Sequence, residues 1–310
     1  MSVRDLTVEL PDRREGKVRL SWALPGSRRL MVATDRLSAF DRIVAVVPCK
    51  GQVLTQLSAW WFANTRDVVD NHLIAVPEPH SMIVVDATPL AVEVVVRGAL
   101  TGSTRTSVLT RYLAGERLMY GHRFADGLQP HELLARPIIT PTTKARAGEH
   151  DEPIAPDDVV ERGLVSREQW ATIVDAALRL FERGQACAAG AGLILADTKY
   201  EFGIDAHGRV ILIDELHTPD SSRLWIRESY DARCAAGREP ESLDKEPVRL
   251  ALAAAGWRGT GPVPDLGDDV IDATSRRYVR AYESLTGEAF VPAADVDPTE
   301  LLNLVKETAP

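Results

Sequence analysis

Apolar residues recur along this chain at two spacings, a period of two in short runs and a helical period in longer ones. Gly16 to Trp22 and Arg29 to Asp35 read as strands joined through the turn signal Pro25-Gly26. Met82 to Asp86 and Leu90 to Val96 read as two more strands around Thr88-Pro89. Leu193 to Ala196 and Val210 to Ile213 are short apolar runs of the buried-strand kind, parted by turn chemistry from Gly203 to Gly208. Helical spacing runs from Val53 to Asn64, where Leu54, Leu57, Trp61 and Phe62 recur. A second helix begins at Ser166, with Gln169 completing a capping box and Trp170, Ile173, Val174, Ala177 and Phe181 on its apolar face. Asp268 to Thr286 predicts a helix stopped by Gly287, and Asp297-Pro298 opens a last one. Asp35 to Asp41 and Pro137 to Pro156 read as polar loops.

The most informative stretch follows Ala196. Asp197, Lys199 and Glu201 stand two apart, so an extended chain puts all three side chains on one face. The next apolar run ends in Asp214-Glu215 and leads into a polar turn, Thr218 to Arg223. If the two runs pair, Glu201 and Asp214 sit near each other at the strand ends. Two carboxylates beside a lysine and an arginine are costly to bury without partners. A divalent metal carrying polyphosphate resolves that cost, because hard cations take carboxylate and phosphate oxygens together. A surface hairpin with solvated charges is the alternative.

Other polar positions carry weaker signals. Lys17 and Arg19 flank Val18 and share a face, a pattern common for solvated residues on an edge strand. Arg97 ends a strand before the small turn Thr101-Gly102-Ser103, where backbone amides can approach an anion. Arg97 with Ser103 therefore forms a candidate phosphate clamp.

The 310 residues suffice for two domains or one large one, and 45% hydrophobic with 26% charged residues is ordinary for a soluble protein. A formal charge of -9 argues against non-specific nucleic-acid binding. Cys49, Cys187 and Cys234 are scattered and odd in number, which suggests reduced thiols in a cytoplasm rather than a disulfide or zinc framework. No apolar span predicts a signal peptide or a membrane helix. No serine-triad or cysteine-nucleophile signature is present.

The segments LADTKYEFG at Leu195 and DELHTPDSSRLW at Asp214 resemble signatures of the phosphoribosylaminoimidazole-succinocarboxamide synthase (SAICAR synthetase) family. GKVR at Gly16, DRLSAFDRI at Asp35, VVRGALTGS at Val95, TPTTKARAGEHDEPI at Thr140 and DKEPVR at Asp244 match in the same order. The resemblance implies an α+β, two-lobed fold. A β-rich nucleotide-covering lobe would span 1–95, and an α+β substrate and metal lobe with terminal helices would span 96–310. It implies a ligase that uses ATP and Mg2+ to join the carboxylate of an imidazole ribonucleotide to L-aspartate through an acyl phosphate. It assigns Lys17 and Arg19 to ATP, Glu201 and Asp214 to metal and ATP, and Lys199 with Asp197 to catalysis. Arg97, Ser103, Arg223 and Arg249 would bind the ribonucleotide, with Asp197 orienting it. Ser38 and Asp41 would lie near the amino-acid substrate, and Lys144 and His150 in a substrate-side wall. No nucleic-acid or membrane partner is implied, and the expected state is monomer or homodimer.

The chain departs from the family pattern at Leu20-Ser21-Trp22, at Ala99 and at Thr104-Arg105-Thr106. Those departures leave the reading of a paralogue acting on a related purine-like nucleotide; a nucleotide-binding protein without catalysis is a second alternative, which the presence of Lys199, Glu201 and Asp214 argues against.

Overall fold

The computed structural model describes residues 4–104, 106–144, 152–294 and 296–308. The chain begins with β1 (Arg14–Glu15), β2 (Arg19–Leu24), β3 (Arg28–Ala33) and a hairpin of β4 (Arg36–Ala39) and β5 (Arg42–Val46). Helix α1 (Lys50–Ala63) leads to β6 (Leu73–Glu78), β7 (Ser81–Val85) and the long β8 (Thr88–Ala99). Helix α2 (Val108–Leu113), the short strands β9 (Leu118–Met119) and β10 (His122–Arg123), and β11 (Leu133–Thr143) come next. Helices α3 (Pro156–Glu161) and α4 (Arg167–Gly190) precede β12 (Leu193–Ile204), β13 (Val210–Ile213) and β14 (Ser222–Ile226). Helices α5 (Arg227–Ala235), α6 (Glu246–Ala254), α7 (Asp268–Thr286) and α8 (Pro298–Thr308) finish the fold.

The first sheet is antiparallel, in the order β1-β2-β3-β7-β6. Leu20 and Trp22 alternate with polar or small residues in β2, so both point to one face. There they meet Leu30, Val32 and Ile83, and α8 closes that face with Leu301 and Val305. Full burial of such a side chain contributes about 1.5–3 kcal/mol, so these contacts anchor the C-terminal helix to the N-terminal sheet. On the opposite face Met82 and Val84 pack with Val53, Leu54 and Leu57 of α1. Helix α1 lies very close to the sheet at Gly51, where a Cβ would fall 2.2 Å from the Ala33 carbonyl oxygen. Asp35 Oδ1 accepts the Gly51 N–H at 2.8 Å and fixes that approach.

The second sheet runs β11-β8-β12-β13, with β14 also on β12. Val94 and Val96 of β8 and Tyr200 and Phe202 of β12 bury one face. Helix α4 covers it through the expected Trp170, Ile173, Ala177 and Phe181, with Val174 only partly buried and Leu180 joining them. The Ser166–Gln169 capping box forms at its start. The α+β architecture with two antiparallel sheets therefore agrees with expectation. The expected division at 95/96, however, falls inside β8, and α8 packs on the first sheet.

Three local expectations are corrected. Asp35 to Asp41 is not a loop but most of the β4–β5 hairpin, with Phe40 and Asp41 left-handed at φ 49° and 62°, as a tight two-residue turn requires. The first part of the expected loop from Pro137 to Pro156 is strand, since Ile138 to Thr143 pair with β8. Pro141 sits within this strand because β11 is at the sheet edge, where proline's missing N–H is tolerated. The turn after Thr218 is shorter than expected, since Ser222 and Arg223 already belong to β14.

Candidate active site

The polar face of the second sheet, opposite α4, carries the chemistry. Asp197, Lys199 and Glu201 project from β12, and the register sets Asp197 opposite Arg97, Lys199 opposite Val95 and Glu201 opposite Glu93 of β8. Glu201 also pairs with Ile213 of β13, so Asp214 follows directly beside it. The expected nearness of Glu201 and Asp214 is met, although Glu201 lies within its strand rather than at its end.

One cavity of about 340 Å³ is lined by Asp41, Glu93, Arg97, Asp197, Lys199, Asp220, Ser221, Arg223, Lys245 and Arg249, among others. Arg97 and Arg223 both donate to Asp197 Oδ2, at 2.9 and 2.7 Å. Arg223 and Arg249 converge in turn on Glu246 Oε2, at 3.1 and 2.8 Å. Burial disfavours the Arg223 charge, but Asp197 and Glu246 outweigh it and hold the guanidinium firmly protonated. Ser103 Oγ is buried beside Glu246. The result is an arginine-rich wall already oriented by carboxylates, suited to an anionic ligand with bidentate acceptors.

A second cavity of about 180 Å³ opens between the two sheets. Arg14, Ser21, Arg29 and Met31 line it from the first sheet, and Lys144, Glu201, Ile213 and Asp214 from the second. Val84 to Ala87, the link from β7 to β8, forms its wall. Glu201 is held by Lys199 and Lys144, and Asp214 by Arg19, whose other nitrogen reaches Glu215 at 2.9 Å. Burial opposes ionisation of Glu201, yet the two lysines win and keep its carboxyl well below the usual range. Asp214 goes the other way. Burial, reinforced by Glu201 and Glu215, outweighs Arg19 and raises its carboxyl above the usual range. Lys199 also donates to Glu93 at 3.1 Å; despite burial, Glu201 and Glu93 keep it charged. A lysine held protonated serves as a fixed positive charge rather than as a base.

No group of three or more His, Cys, Asp and Glu able to hold a metal is present among the described residues. Two carboxylates on one cavity still suit Mg2+, which uses one or two carboxylates and fills its shell with water and phosphate oxygens. Asp214, left underneutralised by its surroundings, is the natural place for added positive charge.

The other expected residues fall as follows. Lys17 precedes β2 and pairs with Asp41 of the β4–β5 turn, so Lys17 and Arg19 do not share a face as expected. The chain has not yet entered its strand at Lys17, and only Arg19 turns inward. Ser38 stands half-buried in β4, close to Asp41 in the chain, and lines neither cavity. His150 lies outside the described residues. Sequence reasoning missed Glu93, Lys245, Glu246, Asp220 and Lys50. Lys245 and Glu246 lie in the DKEPVR segment and Asp220 in the DELHTPDSSRLW segment, so both segments were in view. Lys50, at a helix start, gave no signal because a lone lysine there is normally solvated.

The SAICAR synthetase family model matches residues 12–262. A phosphoribosylaminoimidazole-succinocarboxamide synthase of Legionella pneumophila is 47% identical over 285 residues, 92% of this chain and 90% of that protein. The SAICAR synthase from Saccharomyces cerevisiae, solved with SAICAR, superposes with a TM-score of 0.78 at 33% identity, covering 92% of this chain and 99% of that one. A type-2 SAICAR synthetase in complex with ADP gives a TM-score of 0.69 at 26% identity, covering 90% of this chain and all of that one (100%).

Proposed function

The chain belongs to the SAICAR synthetase family, and we propose from that premise how its residues divide the labour of the reaction. The enzyme is an ATP-dependent carboxylate–amine ligase of purine biosynthesis. It joins the carboxylate of carboxyaminoimidazole ribonucleotide to the amine of L-aspartate, giving SAICAR, ADP and phosphate. A carboxylate does not acylate an amine in water unaided, so the carboxylate is first activated. Its oxygen takes the γ-phosphoryl group as the bond to ADP breaks. The amine of aspartate then attacks the acyl carbon, phosphate leaves, and the amine gives up its proton. No protein nucleophile takes part, so the protein contributes position and charge.

The ribonucleotide occupies the larger cavity, with its phosphate on Arg97, Ser103, Arg223 and Arg249 and with Asp197 holding two of those arginines in place. ATP occupies the cleft between the sheets, with Lys144 and Arg19 facing its phosphates. Glu201 and Asp214 would hold Mg2+, which when bound would neutralise phosphate charge. Lys199 is the charge between the two substrates. The observation that carries this reading is the alternation on β12: Asp197 and Lys199 line one cavity and Glu201 the other, so neighbouring side chains on one strand face would touch the two reactants. Lys17, Ser38 and Asp41 belong to the hairpin side and are assigned to closure over ATP and to aspartate.

Three free, half-buried cysteines are consistent with a reducing cytoplasm, and no helix among the described residues is long and apolar enough to cross a membrane. The test is ADP release measured with each substrate omitted and restored. Sustained release requires ATP, the ribonucleotide and aspartate together. Sustained release that ignores the ribonucleotide would contradict the assignment.

A further inference from the structure

Helix α7 begins at Asp268, beyond the residues that the family model matches. It nevertheless reaches the wall of the larger cavity. Tyr278 is fully buried (0% exposed), and its hydroxyl donates to Asp220 Oδ1 at 2.6 Å. Lys50 Nζ, itself at 0% exposure, pairs with the other oxygen, Oδ2, at 2.8 Å. Lys245, at the start of α6, stands 3.7 Å from Oδ1, too far for a direct hydrogen bond. Asp220 and Lys245 both line the cavity; Tyr278 and Lys50 lie behind them. A second tie, Ser275 Oγ donating to the Pro48 carbonyl at 2.7 Å, locks α7 to the chain just before α1.

The arrangement holds one carboxylate from behind, one partner on each oxygen. Burial and the negative charge of Asp220 keep the Tyr278 hydroxyl protonated, so it remains a donor. With Tyr278 on Oδ1 and Lys50 on Oδ2, the Asp220 carboxylate is fixed in orientation and part of its charge is drawn away from Lys245, which stops 3.7 Å from Oδ1. Its ammonium keeps its donors for the cavity. We propose that Tyr278 is a positioning residue of the ligase site, holding Asp220 so that Lys245 presents its charge to the imidazole ribonucleotide. The proposal rests on the reading that this cavity takes the ribonucleotide. It makes α7 part of the active site's framework rather than a distal appendage.

The groups facing Lys245 are Asp220, Arg249, Lys50 and Glu215, and burial with the two cations brings its ammonium down to about 8 against the pull of the carboxylates. That places its titration in a measurable range. In Tyr278→Phe the hydroxyl is lost, Asp220 is no longer fixed from behind, and its charge acts more strongly on Lys245 and draws it away from the cavity. The KM for carboxyaminoimidazole ribonucleotide then rises about tenfold, as for loss of one charge-assisted contact. The KM for ATP stays at the wild-type value, and the alkaline limb of kcat/KM moves to higher pH. Asp220→Asn removes the negative partner and moves the limb to lower pH. Lys245→Met abolishes the limb and raises the same KM.

A purely structural role for Tyr278 would lower thermal stability and leave limb and KM where they were; that result, with Lys245→Met impaired, overturns the proposal. An unchanged ribonucleotide KM in Lys245→Met instead sinks the cavity reading and the proposal with it. If Tyr278→Phe does not fold, site-specific 3-fluorotyrosine at this position decides. Its more acidic hydroxyl draws more charge from Asp220 and must shift the limb downward, and an unmoved limb refutes the proposal.

Discussion

Arg97 and Arg223 are bound through a single oxygen, Asp197 Oδ2, which accepts from them at 2.9 and 2.7 Å. Two guanidinium groups from different strands are thus held side by side by one carboxylate between them. Their spacing depends on that shared carboxylate.

Replacing Asp197 by Ala takes the counter-ion from buried Arg97, beside an Arg223 that keeps Glu246 at 3.1 Å. Breaking such a pair costs about 3–5 kcal/mol. We expect a loss of that order in denaturant unfolding and at least a roughly tenfold rise in ribonucleotide KM. The KM for ATP should hold. A rise confined to ATP would mean that the arginine cavity has been given to the wrong substrate.

Asp214→Asn tests the carboxylate pair. Arg19 keeps Glu215 as a partner at 2.9 Å, so the fold survives. Turnover is expected to fall by at least about two orders of magnitude, as for loss of one strong electrostatic contact. Near-normal turnover would contradict the metal assignment. Chelation should stop ADP release in the wild-type enzyme, and added Mg2+ should restore it.

The two cavities predict separable defects. Lys144 lines the cleft between the sheets and pairs with Glu201, whereas Arg249 lines the arginine cavity and pairs with Glu246. Lys144→Met should raise the KM for ATP, and Arg249→Met the KM for the ribonucleotide, each by about tenfold. Steady-state titrations that show both variants shifting the same KM would merge the two sites into one.

Buried histidine predicts an acid dependence of stability. Burial, then the nearby Arg19 charge, bring His72 down to about 3, and burial alone does the same for His217. In the unfolded chain a histidine protonates near 6.5. Below that pH the unfolded state binds a proton the folded state refuses, so stability falls at about 1.4 kcal/mol per pH unit for each such histidine until roughly pH 3. Asp244, raised to about 6 by burial and Glu246, works in the opposite direction. The prediction is therefore a difference: relative to wild type, His72→Phe should gain stability by about 1.4 kcal/mol per unit between roughly pH 6 and 4. Urea unfolding series that stay parallel would show that His72 titrates normally.

Much of this was legible in the order of residues. Helix α7 spans the expected Asp268 to Thr286 and stops at Gly287, and α4 carries the capping box its first residues spell. The alternation of Asp197, Lys199 and Glu201 needed only that the segment be extended, because a strand's period of two is a local property. The strand from Ile138 to Thr143 was not legible, since whether Pro141 is tolerated there depends on its being at a sheet edge, and an edge is defined only once the other strands are in place.

Sequence alone therefore determined the strand-and-helix alphabet, the shared face of β12 and the acidic pair at Glu201 and Asp214, all consequences of spacing along one chain. Tertiary structure decided who neutralises whom: that Arg19 turns to Asp214 while Lys17 turns to Asp41, that Asp197 joins two arginines, and that Lys50 and Tyr278 meet at Asp220. Charges act through space and low dielectric, not along the backbone. Partners drawn from α1, α7 and a strand turn, far apart in the chain, become visible only when packing brings them together.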